Sequence, residues 1–306
     1  MSAEVEEKLK KIPLVRNLVQ LLQWAKLPGY SGYSLYDFFE TYIIGIIKGT
    51  FSSRASSIAY SFFMAIFPFL LFILNLIPYI KIENFQYRFL QFIDEMLPAQ
   101  THDFFYPVIV DIALNPRSGL LSFTFVLTLF LTANGVNSIF SAFEYSFYVD
   151  MNRGFFRQYF VSILVAVFLA VVVLVTVGII LYGEYAINIL KEDAYIQNDI
   201  FWINILQFVL FFVMLYIVVS SLYYFGIRKK TKRRFFSIGA TVTTLLFILT
   251  TYFFGVYINN FAQYNELYGS IGALLIMMVY IWINSNLLLL GFELNVSLQS
   301  LKRKPV

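Results

Sequence analysis

SIAYSFFMAIFPFLLFILNLIPYI, residues 57–80, runs through 24 positions without a charged side chain. A helix rises about 1.5 Å per residue, so roughly 20 apolar residues cross the ~30 Å hydrocarbon core of a bilayer. This stretch has that length, and five more follow at residues 119–141, 159–182, 202–225, 236–258 and 270–292. Lipid offers backbone amides no partner, so separate segments of this length read as helices rather than as the roughly ten-residue alternating strands of a barrel. The expected fold class is an all-α membrane protein with six transmembrane helices. The whole composition agrees: 59% of the 306 residues are hydrophobic, 13% are charged, and the mean hydropathy is +0.73.

The basic residues give these spans a direction. Of the 22 Lys and Arg residues, 18 lie before the first span, in the second and fourth connections and after the last span; the other three connections hold 4. Positive charge resists translocation, so both termini are expected on the cytoplasmic side. A net charge of +4 and a pI near 9.0 are explained by this sidedness. Anionic membrane headgroups are the implied partner, and nucleic acid is not. The charged N-terminus, broken by Pro13, has no cleavable-signal pattern, which leaves insertion to the first span.

Three regions follow. Residues 1–50 form a cytoplasmic amphipathic and juxtamembrane segment, residues 51–300 the six-span domain, and residues 301–306 a basic tail. In residues 13–27, Leu14, Leu18, Leu21, Leu22 and Ala25 recur at helical spacing in a segment too short to span, which predicts a helix on the membrane surface. Ser34 and Asp37 form an S-x-x-D capping signal for a second juxtamembrane helix. Residues 81–118 predict an extracytoplasmic helical hairpin. Phe85, Phe89, Phe92 and Met96 line its first arm, and Asn115-Pro116 ends its second.

Cysteine is absent and His102 is the single histidine. Disulfides, thiol catalysis and the usual Cys/His zinc sites are therefore excluded, and no metal, cofactor or catalytic residue is expected. His102 beside Asp103 reads as a solvated loop residue.

Polar side chains inside spans are expensive, so they mark bundle interiors or water-filled cavities. At 100° per residue, Arg54, Ser57, Ser61 and Pro68 share one face of the first span, and Asn134, Asn137, Ser141 and Glu144 share one face of the second. The sixth span has two stripes on opposite sides, Asn284, Gly291 and Asn295 against Asn286, Glu293 and Ser297, which predicts a central helix. Arg54, Glu144 and Glu293 all arrive at the basic end, where Arg54 can pair with Glu293 or with Glu144; the neighbouring asparagines favour Glu293.

The C-terminal third carries Gly239 and Ala240 opening the fifth span, then Tyr257, Phe261, Tyr264, Tyr268 and Gly269, then Gly291, Glu293 and Asn295 closing the sixth. With Ala55, Ala59, Tyr60 and Pro68 in the first span, this pattern resembles the YihY/BrkB family of bacterial inner-membrane proteins. The resemblance covers about residues 45–300. It implies a six-span protein of the bacterial inner membrane, with Pro68, Tyr268, Gly269 and Gly291 in structural roles. A ribonuclease label travels with that family. The sequence gives it no support, since metal-dependent nucleases cluster carboxylates around Mg²⁺ and other nucleases need paired acid and base groups.

Two readings of function remain. In the first, an amphipathic, anionic or lipid-like substrate moves through a polar cavity open to the cytoplasm and lined by Arg54, Ser57, Ser61, Asn134, Asn137, Glu144, Asn284, Asn286, Glu293 and Asn295. In the second, a non-transporting structural or regulatory envelope protein uses the same groups to hold its helices together. A continuous cavity through Arg54, Asn134, Asn284 and Glu293 is the signature of the first, and dry packing of these residues counts for the second. Self-association into a homo-oligomer is left open.

Overall fold

The structure is a computed structural model. It describes residues 22–24, 26, 34–48, 50–79, 87, 90, 99–146, 154–192, 199–226, 235–261 and 270–303. Eight helices carry the description: α1 (Leu35–Lys48), α2 (Phe51–Leu76), α3 (Ala99–Leu114), α4 (Ser118–Glu144), α5 (Phe155–Glu192), α6 (Asp199–Gly226), α7 (Ile238–Phe261) and α8 (Ser270–Arg303). A 3₁₀ turn, Ile77–Tyr79, extends α2. Six helices, α2 and α4 to α8, are long and apolar enough to cross a membrane, and no strand occurs among the described residues.

These are the six spans expected from the sequence, but the helices outrun the apolar windows. α8 continues past residue 292 to Arg303, because a helix with packed neighbours does not stop where the hydrocarbon does. The capping signal forms as expected. The Ser34 amide and hydroxyl both donate to Asp37 Oδ2 at 2.8 Å, and the Asp37 amide donates back to Ser34 Oγ at 3.3 Å, which starts α1. Where the hairpin's second arm is expected, α3 runs from Ala99 to Leu114 and contains Pro107. The hairpin's first arm and most of the 13–27 helix lie outside the described residues.

The spans follow chain order around a ring. Each packs on the next, and α8 closes the ring against α2 while α1 lies along α8. The sixth span is thus a ring member rather than a central helix; its two polar stripes arise because protein covers it on both flanks, α7 on one and α2 with α1 on the other.

Packing is uneven along the spans. The core gathers at the basic end, where Ala55 and Ile58 of α2 meet Phe140 and Phe143 of α4, Tyr223 of α6, Ala240 of α7 and Phe292 of α8. Phe143 and Phe292 stack at 3.8 Å with a 5° interplanar angle, and Tyr223 sets its edge against both. At the other end α2, α3 and α4 still bury Asn75, Ile77, Ala113 and Thr124, whereas α6, α7 and α8 present side chains outward. None of the described residues 201–218, 245–257 or 274–284 is buried, and Trp202, Phe208, Tyr252 and Phe253 are exposed.

Candidate functional site

The capped α1 brings Tyr42 onto α8, where its hydroxyl donates to the Leu290 carbonyl at 3.2 Å. Thr50 then turns the chain into α2 at φ 47°, a left-handed conformation that strains a β-branched residue. One turn later Arg54 enters the core. Its Nε donates to the Ala142 carbonyl at 2.7 Å and its Nη1 to Glu293 Oε1 at 2.9 Å. The Ala142 carbonyl belongs to the last turn of α4, where carbonyls lack intrahelical partners and the helix dipole favours a cation. The other Glu293 oxygen accepts from the Ser146 hydroxyl at 2.8 Å.

Arg54 and Ser146 are nearly fully buried and Glu293 completely so. Three spans are therefore locked through one dry carboxylate. Removing such ions from water costs several kcal/mol each, which a pair with good hydrogen bonds roughly offsets. Burial, and secondarily the Glu293 charge, pushes the Tyr42 phenol up to about 12.

A second polar junction joins α7 to α8. The Gly239 amide donates to Asn295 Oδ1 at 2.8 Å, Asn295 Nδ2 donates to Ser237 Oγ at 2.9 Å, and Ser237 Oγ accepts from the Ala240 amide at 3.3 Å. Two orphan donors in the first turn of α7 are satisfied in this way. The backbones approach so closely here that a Cβ on Gly239 would overlap the Gly291 carbonyl, and one on Gly291 would overlap Thr243 Oγ1. Beside them the Tyr223 hydroxyl donates to the Leu288 carbonyl at 2.6 Å and meets Thr243 Oγ1 at 2.7 Å. A third junction ties α5 to α4: Gln158 Nε2 donates to Asn137 Oδ1 at 3.1 Å and to Ser141 Oγ at 2.9 Å.

The residues singled out from the sequence thus disperse among different tasks. Arg54 pairs with Glu293, Asn295 caps α7, Asn137 holds Gln158, and Ser61 meets Ser138 at 2.7 Å. The Ser57 side chain is exposed, while its carbonyl accepts from Ser61. Asn284 and Asn286 bond back to the Tyr280 and Trp282 carbonyls of their own helix at 2.9 and 2.7 Å. Glu144 is half-buried, and Asn134 is exposed on the outer wall between α4 and α5. Pro68 is buried within a continuous α2, and Tyr268 and Gly269 lie outside the described residues.

Among the described residues, Arg54 and Glu293 are buried at the basic end, beside stacked aromatics and mutually bonded polar groups. Sequence reasoning missed Ser146, Gln158, Tyr42, Tyr223 and Thr243. Gln158, an amide at the edge of an apolar run, carried the one usable signal; a tyrosine near a span end reads equally well as interfacial belt.

The family described as Virulence factor BrkB matches residues 46–305. The chain belongs to this family. The BrkB match takes in Arg54, Ser146, Glu293 and Asn295 and leaves Tyr42 outside it. A relative in Bacillus subtilis (strain 168), named as the ribonuclease-like protein YfkH, is 30% identical over 256 residues, 83% of this chain and 92% of its own. The UPF0761 membrane protein IL2447 of Idiomarina loihiensis is 30% identical over 137 residues, 41% of this chain and 46% of its own. The UPF0761 membrane protein PsycPRwf_0630 of a Psychrobacter species is 25% identical over 279 residues, 89% of this chain and 50% of its own. The chain spans about half the length of these last two relatives. No solved structure matches it. Among the described residues, no three His, Cys, Asp or Glu side chains converge as a metal site would require.

Proposed function

We propose that this membrane protein of the BrkB family is a non-transporting structural or regulatory component of the bacterial inner membrane, with both termini cytoplasmic. Residues 51–300 form its membrane domain, flanked by the juxtamembrane segment 1–50 and the basic tail 301–306. The observation that carries the reading is the dry Arg54–Glu293 pair. It sits with Ser146 at the meeting point of α2, α4 and α8, and it closes the end toward which the polar stripes converge. Ser61, Asn137 and Asn295, suited to line a path, instead bond to neighbouring helices, and Asn284 and Asn286 bond back to their own. Anionic headgroups around the basic connections are its partners, and the reading involves no catalysis, cofactor or nucleic acid.

One observation favours translocation of a lipid-like or anionic substrate instead. No side chain in residues 201–218, 245–257 and 274–284 is fully buried, so α6, α7 and α8 are loosely packed away from the Arg54–Glu293 pair, as a carrier closed on one side would be. Purified protein in vesicles, assayed for movement of labelled phospholipids and small organic anions, separates the two. The structural reading expects wild type, Arg54→Ala and Glu293→Gln to match empty vesicles. Movement by wild type that either variant alters overturns it.

A further inference from the structure

Side chains from three other elements reach Glu293. Arg54 Nη1 of α2 and the Ser146 hydroxyl just beyond α4 donate to its two oxygens, and Tyr42 of α1 lies near enough to feel its charge. The first two belong to or adjoin spans that pack on neighbours along the bundle, whereas α1 is a 14-residue helix outside the membrane-crossing set. The movable wall of this buried carboxylate is therefore α1.

The hold of α1 on α8 is local. The Tyr42 hydroxyl donates to the Leu290 carbonyl, two residues along α8 from the Leu288 carbonyl that accepts from Tyr223. Thr41 and Gly45, on the same flank as Tyr42, are the buried positions among the described residues of α1. Phe39, Ile43 and Ile47 repeat every four residues on the opposite flank and are exposed. A helix of this length draws its stability from packing rather than from propensity. At its far end the chain enters α2 through Thr50 at φ 47°. A β-branched residue resists that left-handed conformation, so the contacts on either side must hold it there. On the α2 side Arg54 is anchored one turn away by Ala142 and Glu293. Detaching α1 therefore lets Thr50 relax while α2 stays in place, and the Tyr42 contact works against that strain.

We propose that α1 is a detachable strap, hinged at Thr50, that controls access to the buried Glu293 carboxylate. The strap holds whether or not the protein transports. Carbodiimide with glycine ethyl ester converts accessible carboxyl groups to amides, and peptide mass spectrometry reads the conversion at Glu293 in the full chain in detergent. If access requires α1 to detach, the labelling rate follows the detached population. Wild type is expected to label at Glu293 far more slowly than at the exposed Asp111. Tyr42→Phe, which keeps the ring and loses the bond to Leu290, is expected to speed labelling of Glu293 about three-fold, and Tyr42→Ala about ten-fold. Thr50→Gly removes the strain, because glycine takes a positive φ freely, and is expected to slow labelling about three-fold. Gln158→Ala, which loosens α5 from α4 away from α1, is expected to leave it unchanged. The proposal is overturned if neither Tyr42 variant accelerates labelling, if Thr50→Gly accelerates it, or if Gln158→Ala accelerates it as much as Tyr42→Ala.

Discussion

Arg54 and Glu293 stand 239 residues apart in the chain and 2.9 Å apart in the fold, with side-chain exposures of 4% and 0%. The pair fixes the rotation of α2 relative to α8, because each partner has one direction in which its charge is answered. Truncating one partner strands the other charge out of water. Arg54→Ala or Glu293→Ala is expected to lower stability by about 3–5 kcal/mol, and the joint change Arg54→Met with Glu293→Leu to recover most of the loss. Thermal and denaturant unfolding in detergent checks this. A double variant as unstable as the sum of the singles would show that the pair does not act as a unit.

Glycines on two neighbouring spans should respond oppositely. Gly291→Ala puts a methyl into Thr243, Tyr223 and the Gly239 backbone, and is expected to cost about 1–3 kcal/mol or more through overpacking. Gly255→Ala in α7 has nothing within 4 Å and is expected to add about 0.5–1 kcal/mol from helix propensity alone. The unfolding midpoints of the two variants should move in opposite directions.

Asparagines of the sixth span divide in the same manner. Asn295→Ala leaves the Gly239 amide buried without its acceptor and is expected to cost about 1–3 kcal/mol. Asn286, which bonds only back along its own helix on an exposed flank, is expected to tolerate Ala within about 0.5 kcal/mol. Hydrogen exchange at the start of α7 reports the difference locally, since only the first change should accelerate it.

Alkaline pH is expected to release α1. The Tyr42 phenol ionises near 12 when docked and near its ordinary value of 10 when free. Between those values the undocked state has lost the proton that the docked state keeps, so docking weakens as pH rises through this window and is unaffected below it. Hydrogen exchange of residues 35–48, followed from pH 9 to 12 and corrected for intrinsic rate, should show the loosening in wild type and no pH-dependent step in Tyr42→Phe.

The absence of native cysteine makes sidedness directly measurable. Thr231→Cys in the basic fourth connection is expected to react with an impermeant thiol reagent only after cells are opened. Ala194→Cys in the acidic third connection should react in intact spheroplasts. The reverse pattern would invert the proposed orientation.

The fold was legible from residues 57–80 outward because crossing lipid is decided by local apolar content, a property each segment carries by itself. The Ser34–Asp37 cap was legible for the same reason, since both partners lie within one turn. The site was only half legible. Asn134 and Asn137 share a stripe three residues apart, yet one lies on the outer wall between α4 and α5 and the other holds Gln158 of α5. A helical wheel gives relative angles along one helix but not which neighbour each angle meets.

Sequence by itself therefore determined six helical spans, the end at which basic charge collects, and Arg54 and Glu293 as ions brought to that end. Tertiary structure alone decided that they pair, that Ser146 and the Ala142 carbonyl add further hydrogen bonds, and that the pair is buried. The physical reason is range. Hydropathy and capping act over a turn or a span, whereas the worth of a buried charge depends on partners delivered by helices hundreds of residues apart, whose rotation is set by the packing of Phe143 on Phe292 and the contact of Gly239 with Gly291.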